Sequence, residues 1–489
     1  MKKLEFINRW NEEIFGEIAE SSIDSIKDIM DAGRDAFSSW KETTVKTRVE
    51  YLAKIRKYIV DNLNILVDGI SKETGKVYTD TLSSEIYPTI DIIKYYEKNL
   101  GKILKPKKVK TPVILMGKES YVEYKPMGVI CIISPWNYPF QLSVTPIISA
   151  LAAGNCVVFK GSSVTPYTSV LIEDMFNSIQ LPKGVFQVVY GGREIGEELI
   201  NQKPDKIFFT GSVATGKRIA EKAAENLIPI ELELGGKDPM VVFEDANIDR
   251  AVKGALWGAF TNCGQVCMSV ERLYVQESIY DEFLSNLVFE FDKLKYGSDY
   301  YDDIGLMTSK AQIKIVKEQI KDALEKGATA ITGKKLKEET GFRINPVILT
   351  NVNNDMLVMK EETFGPVLPI MKFKTEEEVI KLANDTPYGL NSSIWTRDLN
   401  RAKRVSQQLV TGGCCINEVI ISVANPHLPF GGVKNSGIGR YHSAQGIYTF
   451  CHQTSVVLDN GRKQREINWY PYSQKGFNNI KKLIKMLYK

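Results

Sequence analysis

Apolar side chains recur at helical spacing over roughly residues 20–100 of the chain. The intervals are three and four residues, as in the run Tyr51, Leu52, Ile55, Ile59 and Leu63. Such intervals place the side chains on one face of a helix. The pattern therefore predicts that this part of the chain is helical.

The pattern changes after residue 100 to short apolar runs of strand length. Two β-rich runs, 113–116 and 121–124, are separated by Gly117 and Lys118 and predict a hairpin. Further strand runs follow at 129–133, 156–159, 186–190, 207–210 and 453–458, and helical segments such as 165–179 and 217–225 alternate with them. Strand–helix alternation predicts an α/β fold with a doubly wound parallel sheet.

Length and charge narrow the class of protein. The chain has 489 residues, more than the ~250–300 at which a single core stops growing, so two or more domains are expected. Lysine and arginine number 63 and aspartate and glutamate 59, a net charge of +4 that gives no argument for nucleic-acid binding. Charged residues interrupt the N-terminus, and no run approaches the ~20 apolar residues of a membrane span, so a cytoplasmic location is expected.

The cysteines indicate a reducing compartment. They number seven, an odd set without CxxC spacing, which argues against a disulfide framework. Cys263 and Cys267 are not close in sequence to any of the three histidines, His427, His442 and His452. We therefore expect no metal site.

Cys267 is the strongest candidate for chemistry. It lies in the run Phe260-Thr261-Asn262-Cys263-Gly264-Gln265-Val266-Cys267 and follows Glu233 by 34 positions. A thiol forms covalent adducts with electrophilic carbon, and a carboxylate near it can activate the water that releases the adduct. An isolated cysteine is more often a small buried apolar residue, so the neighbouring residues decide between the two interpretations.

Six motifs occur in an order that resembles the aldehyde dehydrogenase superfamily. Those around the cysteine and the glutamate are Glu233-Leu234-Gly235-Gly236-Lys237 and the run ending at Cys267. The others are Pro135-Trp136-Asn137-Tyr138-Pro139, Phe209-Thr210-Gly211-Ser212, Glu362-Thr363-Phe364-Gly365-Pro366, and Pro429-Phe430-Gly431-Gly432 leading to Ser436-Gly437. The resemblance covers roughly residues 30–460.

The resemblance implies a mechanism in which Cys267 attacks an aldehyde and carries a thioester after hydride loss. It also implies that the side-chain amide of Asn137 and the backbone N–H of Cys267 hold the oxyanion, and that Glu233 activates the hydrolytic water. Branches that transfer the acyl group to coenzyme A tend to lack this glutamate. Three alternatives are a coenzyme A-acylating enzyme, a catalytically silent scaffold of the same fold, and a papain-like thiol hydrolase, which needs a histidine partner.

The resemblance further implies a nicotinamide dinucleotide held without a G-x-G-x-x-G motif. Gly211 and Ser212 open a helix whose start offers N–H groups to a pyrophosphate. The other implied contacts are Ile133, Ser134, Pro135, Trp136, Lys160, Ser163, Leu234, Glu362 and Phe364. Ser163 stands where NAD-specific members often have a glutamate that repels a 2′-phosphate, so NADP is expected to be used, with NAD still accepted.

Two segments resemble the class 3 branch, which favours aromatic and medium to long aliphatic aldehydes. They are Pro426-His427-Leu428-Pro429-Phe430 and Gly439-Arg440-Tyr441-His442. Tyr138 and Phe140 suit either an apolar channel or core packing. No arginine lies next to Cys267, since Arg272 is five residues away, so a semialdehyde specialist is not favoured.

The predicted organisation is a cofactor domain, a catalytic domain, a β arm and a tail. The cofactor domain covers residues 1–107 and 127–234, the catalytic domain 235–437, the arm 108–126 and 448–460, and the tail 461–489. In the resembling family the arm extends a neighbouring subunit's sheet, which implies a homodimer or homotetramer.

The tail predicts a basic amphipathic helix. Phe477, Ile480, Leu483, Ile484 and Leu487 fall at helical spacing, while lysines 481, 482, 485 and 489 occupy other positions. Such a helix either packs its apolar stripe on its own protein or a partner subunit, or lies at an anionic membrane surface through residues 474–489.

Overall fold

The computed structural model describes residues 2–333 and 336–489 and divides them into two compact units. The first unit contains residues 2–104 and 125–452, and the second contains residues 105–124 and 453–489. Two hydrophobic cores lie in the first unit, one drawn from residues 26–234 and 441–450 and the other from residues 240–420. Division of the core is expected for a chain of this length.

A six-stranded sheet organises the first core. Its strands, in spatial order, are Gly437–Ile438, Ile230–Glu233, Lys206–Thr210, Val129–Ile133, Cys156–Lys160 and Phe186–Val189. Neighbours run parallel except Gly437–Ile438, which is antiparallel to its partner. Cys156–Lys160 is buried along its whole length, because helices cover a parallel sheet on both faces. The predicted α/β fold with a parallel sheet is confirmed.

Helices flank this sheet. They are Ile23–Trp40, Val45–Asp61, Leu63–Thr74, Tyr78–Asp80, Tyr87–Ile103, Gln141–Ala153, Pro166–Ser178, Arg193–Asn201, Val213–Ala224 and Gln445–Tyr448, with a π-helical turn at Thr81–Ile86. Hydroxyl caps define two of the starts, since Ser22 accepts from the N–H of Ser25 at 3.2 Å and Thr44 from that of Thr47 at 3.1 Å. The predicted helical character of residues 20–100 is confirmed.

A seven-stranded sheet organises the second core. Its strands, in spatial order, are Thr329–Thr332, Val347–Thr350, Val367–Phe373, Val270–Gln276, Asp238–Val242, Ser393–Trp395 and Cys415–Ile416. Only Thr329–Thr332 is antiparallel to its neighbour. The accompanying helices are Ile248–Phe260, Tyr280–Phe291, Lys310–Glu325, Leu357–Lys360, Glu376–Asn384 and Leu399–Ser406.

Residues 3–19 form a hairpin that the sequence pattern did not predict. Strands Lys3–Ile7 and Ile14–Ala19 pair antiparallel. Phe6 is buried, and its ring lies 5.2 Å from that of Tyr167. The ring of Phe15 lies 5.0 Å from the same tyrosine. Two aromatic side chains therefore pack the hairpin on a helix of the first core, and two residues give too little periodicity to detect.

The second unit contains a three-stranded sheet and a terminal helix. The strands, in spatial order, are Cys451–Leu458, Glu119–Pro126 and Lys107–Val109, and the helix is Gln474–Leu487. The predicted strand at 113–116 is wrong, because Val113–Leu115 forms a 3-10 turn in which the Leu115 N–H donates to the Pro112 carbonyl at 2.8 Å. The hairpin exists, but its first strand is Lys107–Val109.

None of the helices in residues 2–333 and 336–489 has the length and apolar character needed to cross a bilayer.

Candidate active site

A cavity of about 320 Å³ lies in the first unit and has mostly apolar walls. Cys267 and Glu233 both line it. The apolar part of the wall comes from Tyr87, Pro88, Tyr138, Leu142, Leu234, Trp257, Val266, Met268, Ile420, Ile421, Val423, Ala424, Phe430 and Tyr441, and the polar part from Ser83, Ser84, Gln141, Thr210 and Thr261. The structure thus places the two strongest candidates for chemistry at one cavity.

A left-handed turn directs the chain into the cysteine. Helix Ile248–Phe260 ends, and Asn262, Cys263 and Gly264 then adopt φ values of 49°, 55° and 72°. A Cβ at position 264 would lie 2.2 Å from the Gly365 carbonyl oxygen, so only glycine fits there. The turn ends the helix abruptly and brings Cys267, which is half-buried, to the cavity wall.

Asp80 anchors this turn. Its carboxylate accepts from the Asn262 N–H at 2.8 Å and from the Thr261 hydroxyl at 3.1 Å, and all three residues are buried. The sequence analysis missed Asp80, because a single acid within a helical segment has no feature that separates it from a solvated surface charge.

Asn137 is bonded directly to the left-handed turn and to the segment between that turn and Cys267. Its side-chain amide donates to the Gln265 carbonyl at 3.0 Å, and its own carbonyl accepts from the Asn262 amide at 3.0 Å. The residue is buried and is not one of the described residues that line the cavity. An NH₂ group has two N–H donors, so one of them remains after the bond to Gln265.

A buried ion pair supports the Asn137 segment. Lys76 donates to the Asn137 carbonyl and pairs with Glu85 at 2.9 Å, with both charged side chains fully buried. Glu85 also accepts from the N–H groups of Phe140 and Gln141, at 2.9 and 3.0 Å, where helix Gln141–Ala153 begins. Burial lowers the pKa of Lys76. Sequence reasoning missed this pair as well.

Glu233 ends its strand as a buried carboxylate without hydrogen bonds. Neither of its oxygens has a hydrogen-bond partner among residues 2–333 and 336–489, and the side chain is 4% exposed. Burial raises its pKa well above the usual value, the charge of Glu231 adds to this, and Arg440 opposes it. A carboxyl group at a cavity with no hydrogen bond to the protein can accept a proton from a bound molecule.

The surroundings of Cys267 favour the protonated thiol over the thiolate. Burial raises its pKa, and the carboxylates of Glu362, Asp238 and Glu233 raise it further, while its own backbone N–H opposes the rise. The main chain here is tightly packed, because a Cβ at position 236 would lie 2.3 Å from the Cys267 carbonyl oxygen.

No histidine is among the residues that line the cavity within the described ranges. His442 is fully buried, and burial lowers its pKa to about 3. Its ring lies 4.3 Å from that of Tyr441, which does line the cavity, and 5.8 Å from that of Phe430. A papain-like arrangement of cysteine and histidine therefore has no support.

Two predicted cofactor residues meet in the structure. The rings of Trp136 and Phe364 contact edge to face, with centroids 5.3 Å apart and planes at 87°. Glu362 accepts from the Gly236 N–H at 3.1 Å, and burial raises its pKa to about 8, helped by the charge of Glu271. Glu271 in turn accepts from the Phe364 N–H at 2.8 Å. The segment Glu362–Phe364 is thus fixed beside Gly236 at the Glu-Leu-Gly-Gly-Lys motif.

A second group of predicted cofactor residues surrounds the end of strand Cys156–Lys160. The N–H of Ser134 donates to the Lys160 carbonyl at 3.1 Å, and the Lys160 ammonium donates to the Gly161 carbonyl at 3.3 Å. Burial lowers the pKa of Lys160 to about 8. Ser163 is exposed. Ile133 and Pro135, on either side of Ser134, are half-buried.

The predicted phosphate turn starts helix Val213–Ala224. Ser212 caps the helix by accepting from the Thr215 N–H at 3.4 Å. The N–H of Gly211 donates to the Glu233 carbonyl at 3.0 Å, so this N–H is already bonded to the neighbouring strand of the sheet. Leu234 is buried and packs so closely that a Cβ at Gly216 would lie 2.6 Å from it.

Of the two aromatic residues that suit either an apolar channel or core packing, one lines the cavity and the other lies in the core. Tyr138 lines the cavity, and the Lys76 ammonium lies 4.6 Å from its ring centroid. Phe140 is fully buried in the first core and is not a channel residue. Arg272 is also buried and donates to the carbonyls of Lys237 and Ala383, at 2.9 and 2.8 Å. Its guanidinium group is therefore already bonded to the backbone.

Comparison with known proteins identifies the family. A model described as the aldehyde dehydrogenase family matches residues 1–456. The chain is 44% identical over 476 residues to 4,4'-diapolycopene aldehyde oxidase of Methylomonas sp., covering 97% of this chain and 89% of that protein. It is 35% identical over 456 residues to a putative NADP+ succinate-semialdehyde dehydrogenase of Mycolicibacterium smegmatis, covering 91% and 88%.

A solved structure agrees with these matches. The NAD+ complex of an aldehyde dehydrogenase from Bacillus cereus superposes with a TM-score of 0.89 at 31% identity. The alignment covers 94% of each chain.

Proposed function

Because this chain belongs to the aldehyde dehydrogenase family, whose members oxidise aldehydes with NAD(P), we propose that it converts an apolar aldehyde to the carboxylic acid. The proposed reaction passes through a thioester on Cys267, which water hydrolyses. One observation carries the proposal. Glu233 is a buried carboxylate with no hydrogen bond to either oxygen, and it lines the same apolar cavity as Cys267.

In the first step the Cys267 sulfur bonds to the aldehyde carbon, and the carbonyl oxygen becomes an oxyanion. The thiol loses its proton to solvent as it becomes the attacking thiolate, so the unbonded carboxylate of Glu233 stays free for the later hydrolysis. The remaining Asn137 N–H and the Cys267 backbone N–H are proposed to hold the oxyanion. Removal of one such donor typically costs ~2.7–4 kcal/mol of transition-state stabilisation.

The residues present fit a nicotinamide dinucleotide. Lys160 offers a buried ammonium, Glu362 a carboxylate for ribose hydroxyls, and the helix that Ser212 caps a positive N-terminus for a pyrophosphate. When bound, the dinucleotide supplies the acceptor for the hydride that the substrate carbon loses. The contacts of Trp136 and Phe364 support a rigid wall for its ring.

Glu233 then acts as the base for hydrolysis. It takes a proton from water, the oxygen of that water bonds to the thioester carbon, and the carbon–sulfur bond breaks to release the acid and the Cys267 thiolate. The raised pKa of Glu233 suits this role, because a stronger base removes a proton from water more readily.

The cavity favours an apolar substrate. No lysine or arginine is among its lining residues in the described ranges, whereas a carboxylate-bearing semialdehyde needs a cation to offset its desolvation. The relative from Methylomonas is named for a polyene aldehyde, which supports an extended apolar substrate. The relative from Mycolicibacterium is named for succinate semialdehyde.

We propose NADP as a cofactor, with NAD also used. Ser163 is exposed and uncharged at the end of the strand that carries Lys160. No negative charge at this position therefore opposes a 2′-phosphate. The name of the Mycolicibacterium relative includes NADP+, which supports the assignment.

A homodimer or homotetramer is proposed from the sheet of the second unit. Cys451–Leu458 is an edge strand of that sheet, and an open edge is an aggregation hazard unless another strand covers it. Light scattering coupled to size-exclusion chromatography measures the mass, and a monomer at micromolar concentration contradicts this proposal.

The proposed function is tested by following NADPH and NADH formation with aldehydes from acetaldehyde to long-chain and aromatic ones, with and without coenzyme A. We expect the highest kcat/KM for apolar substrates and free acid as product. An acyl-coenzyme A product would instead identify the acylating reaction. Absence of turnover with every aldehyde would favour a silent scaffold.

A further inference from the structure

The last 28 residues of the chain are strongly basic. Residues 462–489 contain eight lysines and arginines against a single acid, Glu466. Glu466 is already paired with Lys118 at 2.8 Å in the second unit. The surplus of positive charge is therefore not neutralised within this segment.

The terminal helix separates its apolar and basic side chains. Gln474–Leu487 begins at a Ser473 cap, and none of its residues is buried. At 100° per residue, Phe477, Ile480, Ile484 and Leu487 fall on one side, and lysines 481, 482 and 485 lie beside or opposite them. Phe477 is 62% exposed and Ile484 53%. The helix thus presents an uncovered apolar stripe bordered by cations.

An aromatic loop adjoins the stripe. Trp469, Tyr470 and Tyr472 are 55%, 79% and 70% exposed, and the two tyrosine rings lie 4.6 Å apart. A groove of about 570 Å³ runs between the loop and the helix, with Trp469 and Phe477 among its walls. Tryptophan and tyrosine are the residues that favour the level of lipid headgroups.

We propose that residues 465–489, the C-terminal surface, dock this protein on an anionic lipid bilayer. Lysines draw the surface to acidic headgroups, while the apolar stripe and the aromatic rings insert at the headgroup level. A second copy of the chain is a poorer occupant, because a symmetric contact would bring the same group of lysines together from both copies. The functional reason for docking rests on the proposed function, because the proposed substrate, an apolar aldehyde, partitions into the bilayer.

Docking is measured by flotation of the full-length protein with vesicles, in the absence of aldehyde. Vesicles of phosphatidylcholine alone are compared with vesicles that also contain phosphatidylglycerol, each at low and high salt. We expect binding to the anionic vesicles only, weakened by salt. K481Q/K482Q/K485Q should lower the partition coefficient by about 100-fold, and W469S/F477S should also lower it.

A matched control removes three lysines from another amphipathic helix. In Lys310–Glu325 the apolar residues Ile313 and Val316 are buried, so K314Q/K317Q/K321Q removes the same charge without an uncovered stripe nearby. This control should bind vesicles like the wild type. Equal losses in both triple variants would overturn the proposal and indicate a general charge effect.

Two further outcomes also overturn docking. One is no binding by the wild-type protein to anionic vesicles. The other is a fall in oligomeric mass of W469S/F477S, which would assign the surface to a contact between subunits. Oxidation of a short water-soluble aldehyde should stay unchanged in every variant, so a failure of docking is distinguishable from a failure of the proposed enzyme activity.

Discussion

Lys76 and Glu85 form a 2.9 Å ion pair with both charged side chains fully buried. Each partner also bonds to the backbone next to the candidate active site, Lys76 at Asn137 and Glu85 at the start of helix Gln141–Ala153. The pair therefore connects the N-terminal helices to the residues that are proposed to hold the oxyanion.

Lys76→Met should lower the free energy of unfolding by about 3–5 kcal/mol, because it leaves the Glu85 charge buried without a partner. Urea denaturation measures the change. The exposed pair Lys57–Asp61 provides the control, since Lys57→Met should cost less than about 1 kcal/mol. Adding Glu85→Gln to Lys76→Met should recover part of the loss. Equal effects of the two lysine substitutions would contradict a structural role for the buried pair.

Cys267→Ala should reduce aldehyde oxidation by more than about a thousandfold while leaving dinucleotide binding intact, because the covalent route is lost. Steady-state rates and fluorescence titration with the cofactor measure the two properties. Cys263→Ala is the matched control, since Cys263 is buried within the left-handed turn and is not among the described residues that line the cavity. Near-normal turnover of the Cys267 variant would move the nucleophile assignment to Cys263.

The raised pKa of Cys267 predicts slow alkylation near neutral pH. Only the thiolate reacts, so below the thiol pKa the rate of labelling by iodoacetamide should rise about tenfold per pH unit. Peptide mass spectrometry isolates the signal of Cys267 from those of the other cysteines. Glu362→Gln should increase the rate at a fixed pH, because Glu362 is the largest charge contribution to the raised pKa. A flat pH profile would show that the thiol is already ionised.

Glu233→Gln should slow hydrolysis of the thioester more than hydride transfer. Rapid mixing should then reveal a burst of reduced cofactor followed by slow turnover. In the wild type, the raised pKa of Glu233 means that the active carboxylate form is lost as pH falls through that pKa, so the hydrolysis rate should decline toward acid. This limb of the pH profile should vanish in the variant. Equal slowing of both steps would place Glu233 earlier in the reaction.

Ser163→Glu should discriminate against NADP. A carboxylate about 4 Å from the 2′-phosphate costs ~1–4 kcal/mol depending on the effective dielectric constant, so KM for NADP should rise at least about fivefold with little change for NAD. Ser163→Gln has nearly the same size without the charge and should affect both cofactors alike. If the two variants behave identically, position 163 does not face the adenosine ribose.

The sequence predicts elements that have a repeating pattern. Strand Val129–Ile133 and the tail helix follow from apolar runs and periodicity. The motifs also single out Cys267 and Glu233, which line one cavity in the structure. It does not reveal Lys76, Asp80 or Glu85, because their roles depend on tertiary bonds to residues 55 to 182 positions away. The strand predicted at 113–116 fails because Pro112 leads the apolar run into a 3-10 turn.

The close approach of Gly236 to the Cys267 carbonyl means that backbone packing and the proposed chemistry restrict different positions in this region. The tightest restriction on position 236 comes from the backbone of residue 267, and Asp238 Oδ1 follows at 3.0 Å. A descendant that lost only the Cys267 thiol would therefore still need the glycine. A search pattern built on the Glu-Leu-Gly-Gly-Lys glycines therefore finds inactive descendants as readily as enzymes. Under the proposed mechanism, the side chains at 233 and 267 are the positions that distinguish working enzymes from those descendants.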